Sequence, residues 1–87
     1  MSCYLIQYDL RKSRDYGSLY EAIKSYAYWA HILESSWAVL TTKSAAEVCN
    51  HLLQHMDADD GIFVVGSGSE AAWRGILCPN QWLKDYL

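Results

Sequence analysis

With 87 residues, 52% of them hydrophobic and 14% aromatic, and a formal net charge of -3, the chain is too rich in apolar and ring residues for a disordered segment and is sized for a single domain, residues 1–87. No run approaches the roughly 18 consecutive apolar residues of a membrane span, and the N-terminus has no basic region ahead of an apolar core, so the expectation is a cytoplasmic protein without membrane contact. The negative balance argues against broad, nonspecific nucleic-acid binding, which needs a clustered positive surface, and leaves room only for a local basic patch.

The first element is a strand from Cys3 to Leu10. Tyr4, Ile6, Tyr8 and Leu10 alternate against Leu5, Gln7 and Asp9, so Asp9 lies at the strand tip, opposite the more apolar face. The basic cluster Arg11-Lys12-Ser13-Arg14 follows at once. Ser18 and Glu21 have capping-box spacing, and Leu19, Ala22, Ile23 and Tyr26 recur at helical spacing, which predicts a helix over about 16–27.

Residues 28–42 alternate as β-structure but exceed one average strand, so a break is expected near Glu34-Ser35-Ser36, as a hairpin or as a bulge or sharp bend. Ser44 and Glu47 form a second capping-box pattern ahead of Ala45, Val48, Cys49, Leu52, Leu53 and Met56, a clear helical face. Asp57-Ala58-Asp59-Asp60-Gly61 reads as a solvated turn into the strand Ile62-Phe63-Val64-Val65, which is apolar on both faces. Gly66 to Ser69 is a loop, 71–77 an edge strand or irregular segment, and Pro79 opens a closing helix that carries Trp82, Leu83, Tyr86 and Leu87.

This order predicts an α/β (α+β) class, specifically a ferredoxin-like βαββαβ sandwich with a C-terminal helix. Two helices would cover one face of the sheet. The other face would expose Leu5, alternate residues of the middle strands and part of 62–65, which predicts a two-fold homodimer through the sheet.

Several side chains invite a chemical reading. Two Asp9 carboxylates brought together by a two-fold axis could hold Mg²⁺, a cation that typically takes one or two carboxylates and completes its shell with water and phosphate oxygens. Arg11, Lys12 and Arg14 would then position phosphates. The plain alternative is that Asp9 accepts bonds from loop amides and the basic residues are solvated. His51 and His55 share a helical face without the glutamate and third ligand of a zinc hydrolase motif, so two exposed histidines are expected. His31 reads as a packed or hydrogen-bonded strand residue. Cys3, Cys49 and Cys78 are odd in number and widely spaced, as expected of reduced thiols. Trp29, Trp37, Trp73 and Trp82 read as core or interface residues more readily than as base-stacking platforms.

Tyr4-Leu5-Ile6-Gln7-Tyr8-Asp9-Leu10, Leu33-Glu34-Ser35-Ser36-Trp37, Asp59-Asp60-Gly61-Ile62-Phe63-Val64-Val65 and Trp82-Leu83 carry a resemblance to a known superfamily. In these segments the chain resembles the small CRISPR-associated nuclease-like subunit of spacer-adaptation complexes and the VapD-like toxins. It looks closest to short bacterial members often labelled SinR-like. The resemblance implies a ferredoxin-like dimer in which Asp9 is the metal ligand and catalytic residue, with Ser36 or Ser35 as the nearby polar residue. It implies a metal-dependent phosphodiesterase, an endonuclease acting on RNA or DNA with Mg²⁺. The chain departs from that pattern in ending on a helix where many members add a strand, and in being acidic where many are basic. The competing expectation is a non-catalytic dimeric module that binds a protein partner, such as an antitoxin or a scaffold subunit.

Overall fold

A computed structural model describes residues 1–12, 15–68 and 70–87. Strand β1 (Ser2–Asp9) is followed by helix α1 (Gly17–Lys24), strands β2 (Tyr28–Leu33) and β3 (Ser36–Thr41), helix α2 (Ala45–Leu53), strand β4 (Gly61–Gly66) and helix α3 (Asn80–Tyr86). The four strands make one antiparallel sheet in the order β2-β3-β1-β4, an α+β arrangement. No described helix is long and apolar enough to cross a membrane.

The two faces of the sheet follow from the period-two alternation of its strands. On the first face Ile6 and Tyr8 of β1, Trp37 and Val39 of β3 and Ile62 and Val64 of β4 pack with Leu19, Ala22 and Ile23 of α1 and Val48 and Leu52 of α2. Ile6, Leu19, Ile23, Val39, Val48 and Leu52 are fully buried there. Burying one such side chain contributes about 1.5–3 kcal/mol before entropy is counted.

The break in 28–42 takes both forms that the sequence allows. Glu34 and Ser35 form a two-residue turn, and the pairing of β2 with β3 slips between His31 and Leu33. The Ser44 capping box forms in full: Glu47 N–H donates to Ser44 Oγ at 3.2 Å, and Ser44 N–H donates to Glu47 Oε1 at 3.0 Å. The Ser18 box does not form. Helix α1 starts earlier, after Tyr16, so Ser18 lies inside its first turn, and the Asp15 carboxylate accepts from Gly17 N–H at 2.8 Å instead.

The second face is less bare than its sequence pattern suggests. Residues 70–79 run as an irregular strap, fixed to the edge of β2 where Leu77 N–H donates to the Ile32 carbonyl at 2.8 Å. Helix α3 then buries Leu83, 1% exposed, which lines a cavity with Leu5 and Ile32, and Ala30 and Ala38 are 4% and 0% exposed. Tyr86 meets Tyr28 with ring centroids 5.8 Å apart. The cover stops short of β4, whose Phe63 remains 61% and Val65 38% exposed.

Candidate functional site at the tip of β1

Register brings the site together. Asp9, the last residue of β1, pairs with Gly61, the first of β4, so the basic segment after β1 and the acidic turn before β4 leave the sheet side by side. Arg11 Nε lies 3.3 Å from Asp9 Oδ2, and Arg11 Nη1 donates to the Asp59 carbonyl at 2.6 Å. The Arg11 backbone N–H donates to Asp60 Oδ1 at 2.8 Å, and Lys12 Nζ pairs with Asp59 Oδ2 at 2.9 Å. Arg14 lies outside the described residues.

Asp60 is the organising acceptor. Its second oxygen accepts from the Tyr16 hydroxyl at 2.7 Å and from the Asp57 N–H at 2.9 Å, which ties the entry to α1 and the turn after α2 to the basic segment. Tyr16 is itself buried and also donates to Asp57 Oδ2 at 3.2 Å. The expectation of a merely solvated Asp57–Gly61 turn is therefore corrected: the turn is the partner of the basic loop. Gly61 is where backbone and side chain crowd, since a β-carbon there would stand 3.3 Å from Arg11 Nη2.

The residues singled out from sequence separate into two places. Asp9, with its side chain 74% exposed, sits in a shallow depression with Gln7, Gly61, Ile62 and Phe63. Ser36 lies across the sheet from Gln7 and lines a different cavity, under the strap. Gln7 borders both. Among the described residues no three His, Cys, Asp or Glu side chains converge as a metal-binding group. Among the described residues, Asp9 is the carboxylate that lines this depression, and its Oδ2 is already engaged by Arg11 Nε.

The histidines depart from a surface role. His51 is half-buried, its Nδ1 2.9 Å from the Tyr26 hydroxyl, and its ring meets His55 edge-on at 5.8 Å. Burial, then the charges of Lys43 and His55, hold His51 below the usual imidazole value. His31 stacks on Trp37 at 4.0 Å and lies 3.1 Å from the Glu34 carbonyl, the packed role expected of it. Trp37 donates to the Tyr8 hydroxyl at 2.9 Å in the core. The three cysteines are free thiols, and burial pushes Cys3 and Cys78 up, away from nucleophilic character.

From the sequence the acidic segment reads as a solvated turn and as part of the resemblance, but not as the partner of the basic segment. The signal for that pairing is charge: a basic cluster after one strand and an acidic one before another. No family model and no curated protein matches this chain.

Proposed function

We propose that this chain is a ferredoxin-like, non-catalytic interaction module that acts as a homodimer, in the manner of a scaffold subunit or an antitoxin. The ferredoxin-like reading is supported by the succession of two strand-helix-strand units and by the strand order β2-β3-β1-β4. The observation that carries the functional reading is the uncovered end of the sheet, where Phe63 and Val65 face water on β4 at its edge. An apolar edge strand is a template for pairing with another chain, and a two-fold axis beside it lets the same strip meet its own copy.

The tip chemistry supports the same reading. Among the described residues, the carboxylates of Asp9, Asp57, Asp59 and Asp60 outnumber the cations Arg11 and Lys12 around them. Counting the described residues alone, the balance that an approaching phosphate backbone meets is negative, and Arg11 and Lys12 are already engaged. Light scattering after size exclusion tests the module. The wild type should elute as a dimer, and Phe63→Glu as a monomer with an unchanged circular dichroism spectrum. A wild type that stays monomeric at high concentration would overturn the reading.

A second reading, a Mg²⁺-dependent phosphodiesterase acting on RNA or DNA, rests on the exposure of Asp9 beside the same uncovered strip. It requires the Asp9 of a second copy to complete the ligand set. Cleavage of labelled RNA or DNA with Mg²⁺ or Mn²⁺ that disappears in Asp9→Ala, with the oligomeric state intact, would favour it over the module. No cleavage by the wild-type dimer would remove it.

A further inference from the structure

A cavity of about 380 Å³ lies between the second sheet face and the strap. Its size is within the roughly 300–1,000 Å³ of small-molecule sites, and its composition follows their pattern of apolar walls with a few converging polar groups. The floor changes character along the strands. Leu5 of β1 gives way, two residues further along the strand, to the cross-strand pair Gln7 and Ser36. Leu83, Leu87 and Ile76 add to the apolar lining, while Glu70 and Arg74 of the strap contribute one charge of each sign.

These four polar side chains are unengaged among the described residues, which leaves their hydrogen-bonding and charge capacity open to a ligand. Arg11 and Lys12 are in ion pairs, and Lys24 and Lys43 lie over the rings of Trp29 and Tyr26. Neither Glu70 nor Arg74 forms an ion pair with a described residue, and the Gln7 amide and Ser36 hydroxyl have no side-chain hydrogen bond among the described residues. An apolar void bordered by an unpaired carboxylate, an unpaired guanidinium, an amide and a hydroxyl complements a ligand of matching polarity: an apolar body carrying both an ammonium and a carboxylate.

We infer that this cavity binds a free apolar amino acid of the leucine or phenylalanine type. The side chain lies on Leu5 and Leu83, Arg74 takes the carboxylate, Glu70 takes the ammonium, and Gln7 and Ser36 supply the remaining hydrogen bonds. Trp73, held by its Nε1–H donating to Asn80 Oδ1 at 3.2 Å, keeps the strap tied to the start of α3 and so preserves the cavity mouth. Neither Phe63 nor Val65 lines the cavity, although their cross-strand neighbours Gln7 and Leu5 do, so the cavity borders the proposed dimer strip without including it.

Titration calorimetry on the full chain with L-leucine and L-phenylalanine tests this, alongside isocaproate and isoamylamine, which keep the leucine body and remove one charge each. Saturable binding of at least one amino acid is expected. It should weaken by about tenfold or more when either charge is removed from the ligand, and likewise in Arg74→Ala or Glu70→Ala, both at exposed positions. No saturable heat with either amino acid would overturn the inference. So would isocaproate binding as tightly as leucine, or unchanged affinity in both variants.

Discussion

Asp60 and Asp9 are both aspartates at the same tip, yet they do different work. Asp60 is half-buried and accepts from three separate donors, the Arg11 and Asp57 amides and the Tyr16 hydroxyl, whereas Asp9 is mostly in water beside one guanidinium. Removing an acceptor strands its donors, while an exposed ion pair contributes little. Urea denaturation should therefore find Asp60→Ala destabilised by about 2 kcal/mol and Asp9→Ala within about 0.5 kcal/mol of wild type. Equal effects would mean that the tip is not held through Asp60. The sequence signals Asp9 by its place at the end of a strand, and Arg11 and Lys12 by following it. It hides Asp60, because the Arg11–Asp60 contact spans 49 positions and exists only once β1 pairs with β4. His51 illustrates the same limit: its spacing to His55 was visible, but its bond to Tyr26 on the segment after α1 was not. Because its folded-state value is depressed, the unfolded chain binds the proton more readily, so stability falls as pH drops through the ordinary imidazole value toward the depressed one. The stability lost between about pH 7.5 and about pH 5.5 should shrink in His51→Asn, with an unchanged loss arguing against this site.

At the scale of elements, two capping-box patterns looked alike in sequence and ended differently. Ser44 stands where the chain is still extended, with ψ at 165°, so its hydroxyl can reach the Glu47 amide. Ser18 cannot act in that way because α1 has already begun at Gly17. Ser44→Ala should cost about 1 kcal/mol in chemical denaturation, and Ser18→Ala should cost at most a few tenths, although the motif spacing is identical. Local patterns placed all four strands and both long helices because alternation and helical periodicity are properties of contiguous residues. The sharp stop of α1 at Lys24 and the slip between His31 and Leu33 were less legible, and the slip depends on how β2 meets β3. The strap was legible only as an alternative between edge strand and irregular chain. It takes a single backbone bond to β2, from Leu77, because its charged and apolar residues are committed to roofing the cavity instead of extending a ladder.

Over the whole molecule, cover is unequal on the two faces, and this asymmetry separates folding from association. The first face is closed by α1 and α2, and the second by the strap and α3 as far as β1, beyond which β4 stands bare. Leu83, at 1% exposed, belongs to the folding side of that division. Leu83→Ala should lower stability by about 3 kcal/mol at any protein concentration, since it opens a void against the sheet. Phe63, at 61% exposed, belongs to the association side, and its replacement removes little that a lone chain buries. In the dimer proposed above, burial of Phe63 and Val65 stabilises the folded state by mass action, so the thermal midpoint of the wild type should rise with protein concentration. The midpoint of Phe63→Glu should be independent of concentration and coincide with the wild-type value at high dilution. A concentration-independent wild type would leave the uncovered end of the sheet without a partner copy, and a variant that still shifts with concentration would move the contact to another surface.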